Sequence, residues 1–413
     1  MRKITIVGAG QSGLLLGLGL LKEGYSVKII TDRTPEAVLA GSVMSTQCMF
    51  HSSLETERQL SLNHWEADCP KIKHIQFCAT APREKAQKII EWTGDLDRYA
   101  QSVDQRIKFS AWMEEFEALG GLLEIRKIDA SDLSSLAQQA DLVIVATGKG
   151  LNDQIRRKNP ECSPFDAPQR KLSLFYVQHP DQGTTLDRVS FNVIPSIGEY
   201  FVMPVLTEHG PAEAMLFEAI PEGPMDCFSR NNSEEERLIK AREFLGEYLP
   251  WEQQRIASVV LLTGQSVLQG EITPTVYHPV IQLDAGMQLL AMADAACLND
   301  PITGQGSNNA TKAADTYLQR ILEHTDKPFD QKWMEDTFNT FWQQAQWSTQ
   351  WSNMMLMPPP EFVLNLLGAA GQIPELANRI ANAFDNPADL FPWFADEQAA
   401  GEYLQNLTTE VEH

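Results

Sequence analysis

Apolar residues occur in short bursts along this chain, and their spacing changes character more than once. Ile4, Thr5, Ile6 and Val7 form a compact run that glycine ends at once, which predicts a buried strand. LLLGLGLLKEG follows and predicts a helix packed on that strand, and Ser26 to Thr31 predicts a second strand. Asp141 to Gly150 (DLVIVATGKG) predicts another buried strand, ending in Ala-Thr-Gly. An apolar strand from Leu289 is expected to end at Asp294, with a loop through Pro301 and then a helix holding Asn308 and Asn309 in its first turn. Between 171 and 265 the runs LSLFYV, EYFVMPVL and EAMLFEAI, bounded by Pro and Gly, predict strands of a sheet. From Lys327 onward the spacing turns helical, with Trp347, Trp351, Met354 and Met355 predicted on a buried helix face. No internal repeat or low-complexity tract is visible, and the final TTEVEH is expected to fray.

Chemistry enters with the residues between the first strand and its helix. They read GAGQSG, with glycines at Gly8, Gly10 and Gly13. Gly8 permits a tight turn, Gly10 leaves room for a pyrophosphate against bare backbone, and Gly13 allows helix and strand to pack closely. Gln11 and Ser12 open the helix, whose amino end then faces an anion. Asp32 ends the second strand, about 20 positions past the glycines, where a dinucleotide ribose hydroxyl is held. Strand, helix, second strand and acid in register predict binding of FAD or NAD.

Composition narrows the remaining classes. A chain of 413 residues, 43% hydrophobic, has enough apolar surface for a large core and two or three domains. No apolar run approaches the length of a membrane span and the first strand begins without a signal peptide, so a cytoplasmic protein is expected. The 6 cysteines are scattered without a CxxC pair or a Cys/His cluster at zinc spacing; reduced thiols and no metal site are expected. A net charge of −22 opposes nucleic acid and anionic membrane as partners and otherwise serves solubility. No Ser/His/Asp or Cys/His arrangement suggests a nucleophile, and His51 reads as a structural residue.

Gly304, Gln305 and Gly306, leading into the helix of Asn308 and Asn309, give a second helix start able to point backbone donors at an electron-rich ring. Combined with the amino-terminal glycines, the order resembles that of flavoprotein monooxygenases of the aromatic hydroxylase fold. The resemblance implies FAD, with Asp294 on the ribityl chain and the turn at Thr147 and Gly148 beside the cofactor. Single-component aromatic hydroxylases keep an Asp-Gly pair where this chain has Thr147, Gly148 and Lys149. A second GxGxxG for NADPH and the Trp-x-Trp-x-Ile-Pro box of flavin halogenases are also missing, which implies flavin that arrives already reduced.

Over essentially its full length the chain resembles the styrene and indole monooxygenases, the epoxidase components of two-component flavin systems. The motifs are GAGQSGLLLGL, TDR at Thr31 to Arg33, SVDQR at Ser102 to Arg106, ATGKG, SPF and PQR between Ser163 and Arg170, LQG at Leu268 to Gly270, DPITGQGSN and PPEF. Ala293 departs from the wider fold, which has Gly before the flavin Asp. The implied architecture is α/β: a Rossmann-like FAD-binding domain of the aromatic hydroxylase (glutathione reductase-type) fold, with an inserted β-sheet substrate domain and a helical C-terminal region. The motifs put the FAD domain at residues 1–42, 95–150 and 270–327, the substrate domain at 43–94 and 151–269, and the helical region at 328–413.

The same resemblance implies that reduced FAD forms a 4a-hydroperoxide with oxygen, and that the protein must keep it dry. Asn308 and Asn309 are the candidates for positioning the flavin ring. In the family's styrene branch the pocket reads Asn-x-Val-x-His, then Tyr, His and Ser. Here Ser45, Gln47 and Met49, then Ile72, Ile75 and Ala100, follow the indole branch. Gln47 would accept from the indole N–H, and Met49 would pack its sulfur on an aromatic edge. The expected activity is indole epoxidation leading to 3-hydroxyindole and indigo, with an NADH-dependent flavin reductase as transient partner; the sequence leaves a homodimer open. A styrene epoxidase is the alternative, and a non-catalytic flavin-binding redox sensor is the third reading.

Overall fold

A computed structural model describes residues 2–81, 86–147, 155–180, 184–262 and 265–411. Two sheets dominate it. The first has six strands in the order Val280–Gln282, Gln288–Ala291, Leu142–Val145, Lys3–Val7, Ser26–Thr31 and Leu122–Ile125. All its pairings are parallel except that of Val280–Gln282 with Gln288–Ala291. Lys3–Val7 is central, and Ile4, Ile6 and Val7 are buried against the helix Gln11–Lys22 and the strands on either side. Strands buried on both faces lose alternation and become largely apolar runs, hence the legibility of ITIVG here.

The second sheet has eight strands. Its main path runs Val260–Leu261, Lys171–Gln178, Gly210–Ala219, Gly198–Thr207, Arg188–Ile194, Ile72–Thr80 and Lys88–Ala100, with Val267–Glu271 also pairing with Lys171–Gln178. Its pairings are antiparallel apart from Ile72–Thr80 with Arg188–Ile194. The expected boundary at residue 95 falls inside Lys88–Ala100, which pairs with Ile72–Thr80 from Lys88 to Asp95 and again at Ala100, with an irregularity between.

Two helices, Glu234–Tyr248 and Pro250–Arg255, lie within the stretch that reads as strands. The first is announced by a capping box in which Ser233 accepts from the Glu236 N–H and Glu236 accepts from the Ser233 N–H. Both cover one face of the large sheet, burying Phe175, Tyr200, Phe217, Phe244 and Leu245 together. The other face shares a core with the C-terminal helices Glu361–Ala370 and Pro374–Asn382. Trp351 is buried on the long helix Gln331–Met355, whereas Trp347, Met354 and Met355 are only half-buried.

Candidate functional site

A cavity of about 640 Å³ lies between the two sheets. Gly10, Gln11 and Ser12 line one end, and Leu174, Phe191, Phe201, Met203 and Leu216 of the large sheet roof the other. The crevice end opens at the carboxyl end of Lys3–Val7, where the strand order reverses and α/β sheets bind their ligands.

Each glycine of GAGQSG meets a different demand. Gly8 adopts φ +118 against the backbone of Ala146 and Thr147. A Cβ on Gly13 would lie 2.1 Å from the Gly8 carbonyl oxygen, so helix and strand touch backbone to backbone there. A Cβ on Gly10 would meet nothing within 4 Å, since this residue borders the open cavity. Gly10 is also the N-cap of Gln11–Lys22, and no side chain caps that helix. Its first N–H groups are therefore free to serve an anion in the cavity.

Gln11 is held from behind. Its Nε2 donates to Glu57 Oε1 at 2.8 Å and to Thr311 Oγ1 at 3.0 Å, and Lys108 Nζ donates to the same Glu57 oxygen at 2.5 Å. Glu57 and Lys108 are a fully buried ion pair beneath the glycine-rich turn. Sequence spacing gave no sign of it, because its members come from separate helices. Asp32 and Arg33 are exposed at the end of Ser26–Thr31 and do not line the cavity; Arg33 Nη2 reaches Met44 Sδ at 3.1 Å. Thr147 adjoins Gly8, while Gly148 lies outside the described residues.

The late strand stops earlier than its apolar text suggests. It ends at Ala291, and Asp294 sits in a single 3₁₀ turn, Ala293–Ala295, bordering the cavity. Ala293 takes φ +52 there, which explains why glycine suits this position: the conformation penalises a Cβ. Asp300 caps the turn Pro301–Thr303, accepting from the Ile302 N–H at 3.1 Å, and Gly304 at φ +64 ends it. Pro301, Gly304 and Gly306 line the cavity.

Asn308 and Asn309 do not line it. Asn308 accepts from the Phe50 N–H at 3.0 Å and donates to the carbonyls of Cys48 and Gly304, while Asn309 Nδ2 donates to Ser348 Oγ at 2.8 Å. Both point into protein and fasten the helix Gly306–His324 to its neighbours. Gln305 is likewise turned away, donating to the carbonyls of Thr303 and Phe384. Ser307 and Ala310 occupy the cavity side of this helix instead. A first turn of helix presents every direction within four residues, so its sequence cannot show which residue faces the ligand.

Of the six selectivity candidates, Ser45, Gln47 and Ile75 line the cavity. Met49, Ile72 and Ala100 are buried behind its wall: Met49 forms a bridge with Gln101, and Ile72 pairs with Ala100. The segment from Met44 to Cys48 follows the cavity, Met49 turns away from it and Phe50 returns to it. Gln47 Nε2 donates to the Val103 carbonyl at 2.8 Å, and its Oε1, though buried, has no partner among the described residues. Asp104 of SVDQR caps the helix Gln105–Ala118 and is paired with Arg106 at 2.7 Å, which sets Gln105 and Phe109 at the cavity. Burial pushes the Cys48 thiol well above the ordinary thiol range, so no thiolate is available there at neutral pH.

The missed wall residues come in pairs two apart: Leu172 with Leu174, Val189 with Phe191, Phe201 with Met203, and Ala214 with Leu216. Phe191 and Phe201 stack with centroids 4.4 Å apart. This spacing is a strand signal, yet the intervening Ser173, Ser190, Val202 and Met215 are buried too, because the sheet is covered on both faces, so polarity does not mark the cavity side.

Comparison with known proteins agrees with this geometry. Residues 148–255 match the family described as "Styrene monooxygenase A putative substrate binding domain". Styrene monooxygenase StyA of a Pseudomonas species is 27% identical over 422 residues, covering 99% of each chain. Its counterpart from Pseudomonas fluorescens is 26% identical over 421 residues, again covering 99% of each. Among solved structures, the flavin-dependent brominase Bmp2 superposes with a TM-score of 0.67 at 12% identity, covering 98% of this chain and 99% of the other. A mutant of 2-methyl-3-hydroxypyridine-5-carboxylic acid oxygenase gives 0.58 at 13% identity, covering 92% and 93%. The fold is thus the FAD-binding aromatic hydroxylase fold.

Proposed function

The chain belongs to the styrene monooxygenase family, and from that premise we propose that it epoxidises the 2,3 double bond of indole, the product opening to 3-hydroxyindole and oxidising to indigo. It is an enzyme of the two-component flavoprotein monooxygenase type, not a redox sensor. Its flavin is FAD, delivered reduced by a separate NADH-dependent reductase. The cavity residues suit that cofactor: the uncapped helix start at Gly10 would take the pyrophosphate and Asp294 the ribityl chain, while Asp32, exposed outside the cavity at the end of its strand, would meet the adenosine ribose. Bound reduced flavin would activate oxygen and supply the electrophilic oxygen atom. The protein's part is to hold a flat aromatic substrate under an apolar roof from which water is excluded.

The observation that carries the indole reading is Gln47 on the cavity wall, whose Oε1, like those of Gln11 and Gln269 on the same wall, is buried without a partner among the described residues. A buried acceptor without a donor costs free energy, and the indole N–H is a donor that styrene lacks. Styrene suits the same roof and remains the alternative. Gln47→Leu keeps the bulk and removes the acceptor. It should lower kcat/KM for indole about tenfold relative to benzothiophene, which has no N–H, a difference of about 1.4 kcal/mol. Equal loss for both substrates in steady-state assays with one reductase would refute the role of Gln47.

A further inference from the structure

The roof of the cavity ends in charge. On Gly198–Thr207 the cavity-lining Met203 and Phe201 are followed by Glu199 at the next same-face position, and on Gly210–Ala219 Ala214 and Leu216 are followed by Glu218, both glutamates lying beyond the cavity lining itself. Glu199 and Glu218 are register partners across the two strands. Arg170, just before Lys171–Gln178, donates to Glu199 through Nε at 2.6 Å and Nη2 at 2.9 Å, and its Nη1 goes to the Gln169 carbonyl. Asp300 approaches the same spot from the turn below. All four side chains are buried, Glu218 and Asp300 completely. Three carboxyl groups thus face one guanidinium whose hydrogen bonds go elsewhere than to Glu218 or Asp300.

Asp300 spends Oδ1 on the Ile302 N–H. Its Oδ2 and both oxygens of Glu218 have no donor among the described residues, although the two carboxyl groups are in hydrogen-bonding contact. Two carboxylates cannot both be ionised in that contact without a counter-ion, whereas one proton removes a charge and creates the missing bond. We propose that Glu218 and Asp300 are positioning residues that share one proton and thereby fasten the turn Pro301–Thr303 under the roof of the cavity. Burial, then the carboxylates of Asp300 and Glu199, push Glu218 far above the carboxylate range against the pull of Arg170. Burial also raises Asp300, offset by the Ile302 N–H and Arg170. Asp300 already accepts from the Ile302 N–H, which favours its ionised form, so the shared proton belongs to Glu218, whose O–H donates to Asp300.

Carboxyl groups raised in the folded state stabilise it most in acid. That contribution is lost as pH climbs from the ordinary carboxylate range, near pH 4, through neutrality. The ligand-free protein provides the test. Its infrared spectrum at neutral pH should contain a protonated-carboxyl C=O stretch that shifts in D₂O and is missing from Glu218→Gln. Its melting temperature should fall between about pH 5 and about pH 8, while Glu218→Gln, whose amide donates to Asp300 at every pH, should fall by about 3 °C less. Absence of the stretch from the native protein overturns the proposal even if the variant fails to fold, and so do parallel melting profiles. The link to a flavin above the turn rests on the function proposed above and is read separately: FAD affinity should weaken at least about threefold over the same pH range in the native chain and not in Glu218→Gln. A chain that shows the stretch and the slope but binds no FAD supports the pair and overturns the flavin reading.

Discussion

The two ends of the cavity are built from different materials. At the crevice end the protein offers backbone: glycines, an uncapped helix start and tight turns, supported by the buried Glu57–Lys108 pair. At the roof it offers side chains, two from each of several strands, with Phe191 stacked on Phe201. A backbone site tolerates almost no added atom, because the atoms it would meet cannot move. A side-chain wall can repack, so its substitutions act by degrees.

The largest effect should come from Gly13→Ala, where the new methyl would sit 2.1 Å from a carbonyl oxygen. We expect a loss of about 3 kcal/mol or more in denaturant unfolding. Gly10→Val sharpens the contrast within the same motif: with nothing within 4 Å, the variant should melt like the native chain yet bind FAD at least tenfold more weakly by titration. A native-like Gly13→Ala, or full FAD affinity in Gly10→Val, would break the comparison.

At the roof, Phe201→Leu removes the ring stacked on Phe191 and should cost about 0.5–1.5 kcal/mol beyond its lost area. It should change the ratio of indole to styrene turnover and leave FAD affinity within about twofold of native. The smallest effect tests strain in the crevice. Ala293→Gly relieves a left-handed φ of +52 and should stabilise the chain by about 0.5–1 kcal/mol, raising the midpoint of unfolding without changing selectivity. A destabilised variant would mean that the Ala293 methyl contributes packing that outweighs its backbone cost.

What the sequence determined by itself is the crevice. Ile4 to Val7, Gly8, Gly10, Gly13 and the strand Ser26–Thr31 lie within about 30 residues, and the strand pairing and the Gly8–Gly13 approach are made among themselves, so local order already specifies much of the geometry. The late motif was legible in kind but not in detail. Its glycines Gly304 and Gly306 line the cavity, while Asn308 and Asn309 turn inward to tie helix to wall, a choice made by Phe50, Cys48 and Ser348 from distant segments. Only the tertiary structure decided the roof. In LSLFYV, Leu172 and Leu174 face the cavity and Phe175 and Val177 face the opposite core, yet all are apolar because helices Glu234–Tyr248 and Pro250–Arg255 cover the far side. Alternation marks a face only when one side meets water. The meeting of Glu218 with Asp300, and of Glu57 with Lys108, was hidden for a related reason: charge is buried only where a partner or a proton waits, and chain order does not reveal which residues the fold will bring there.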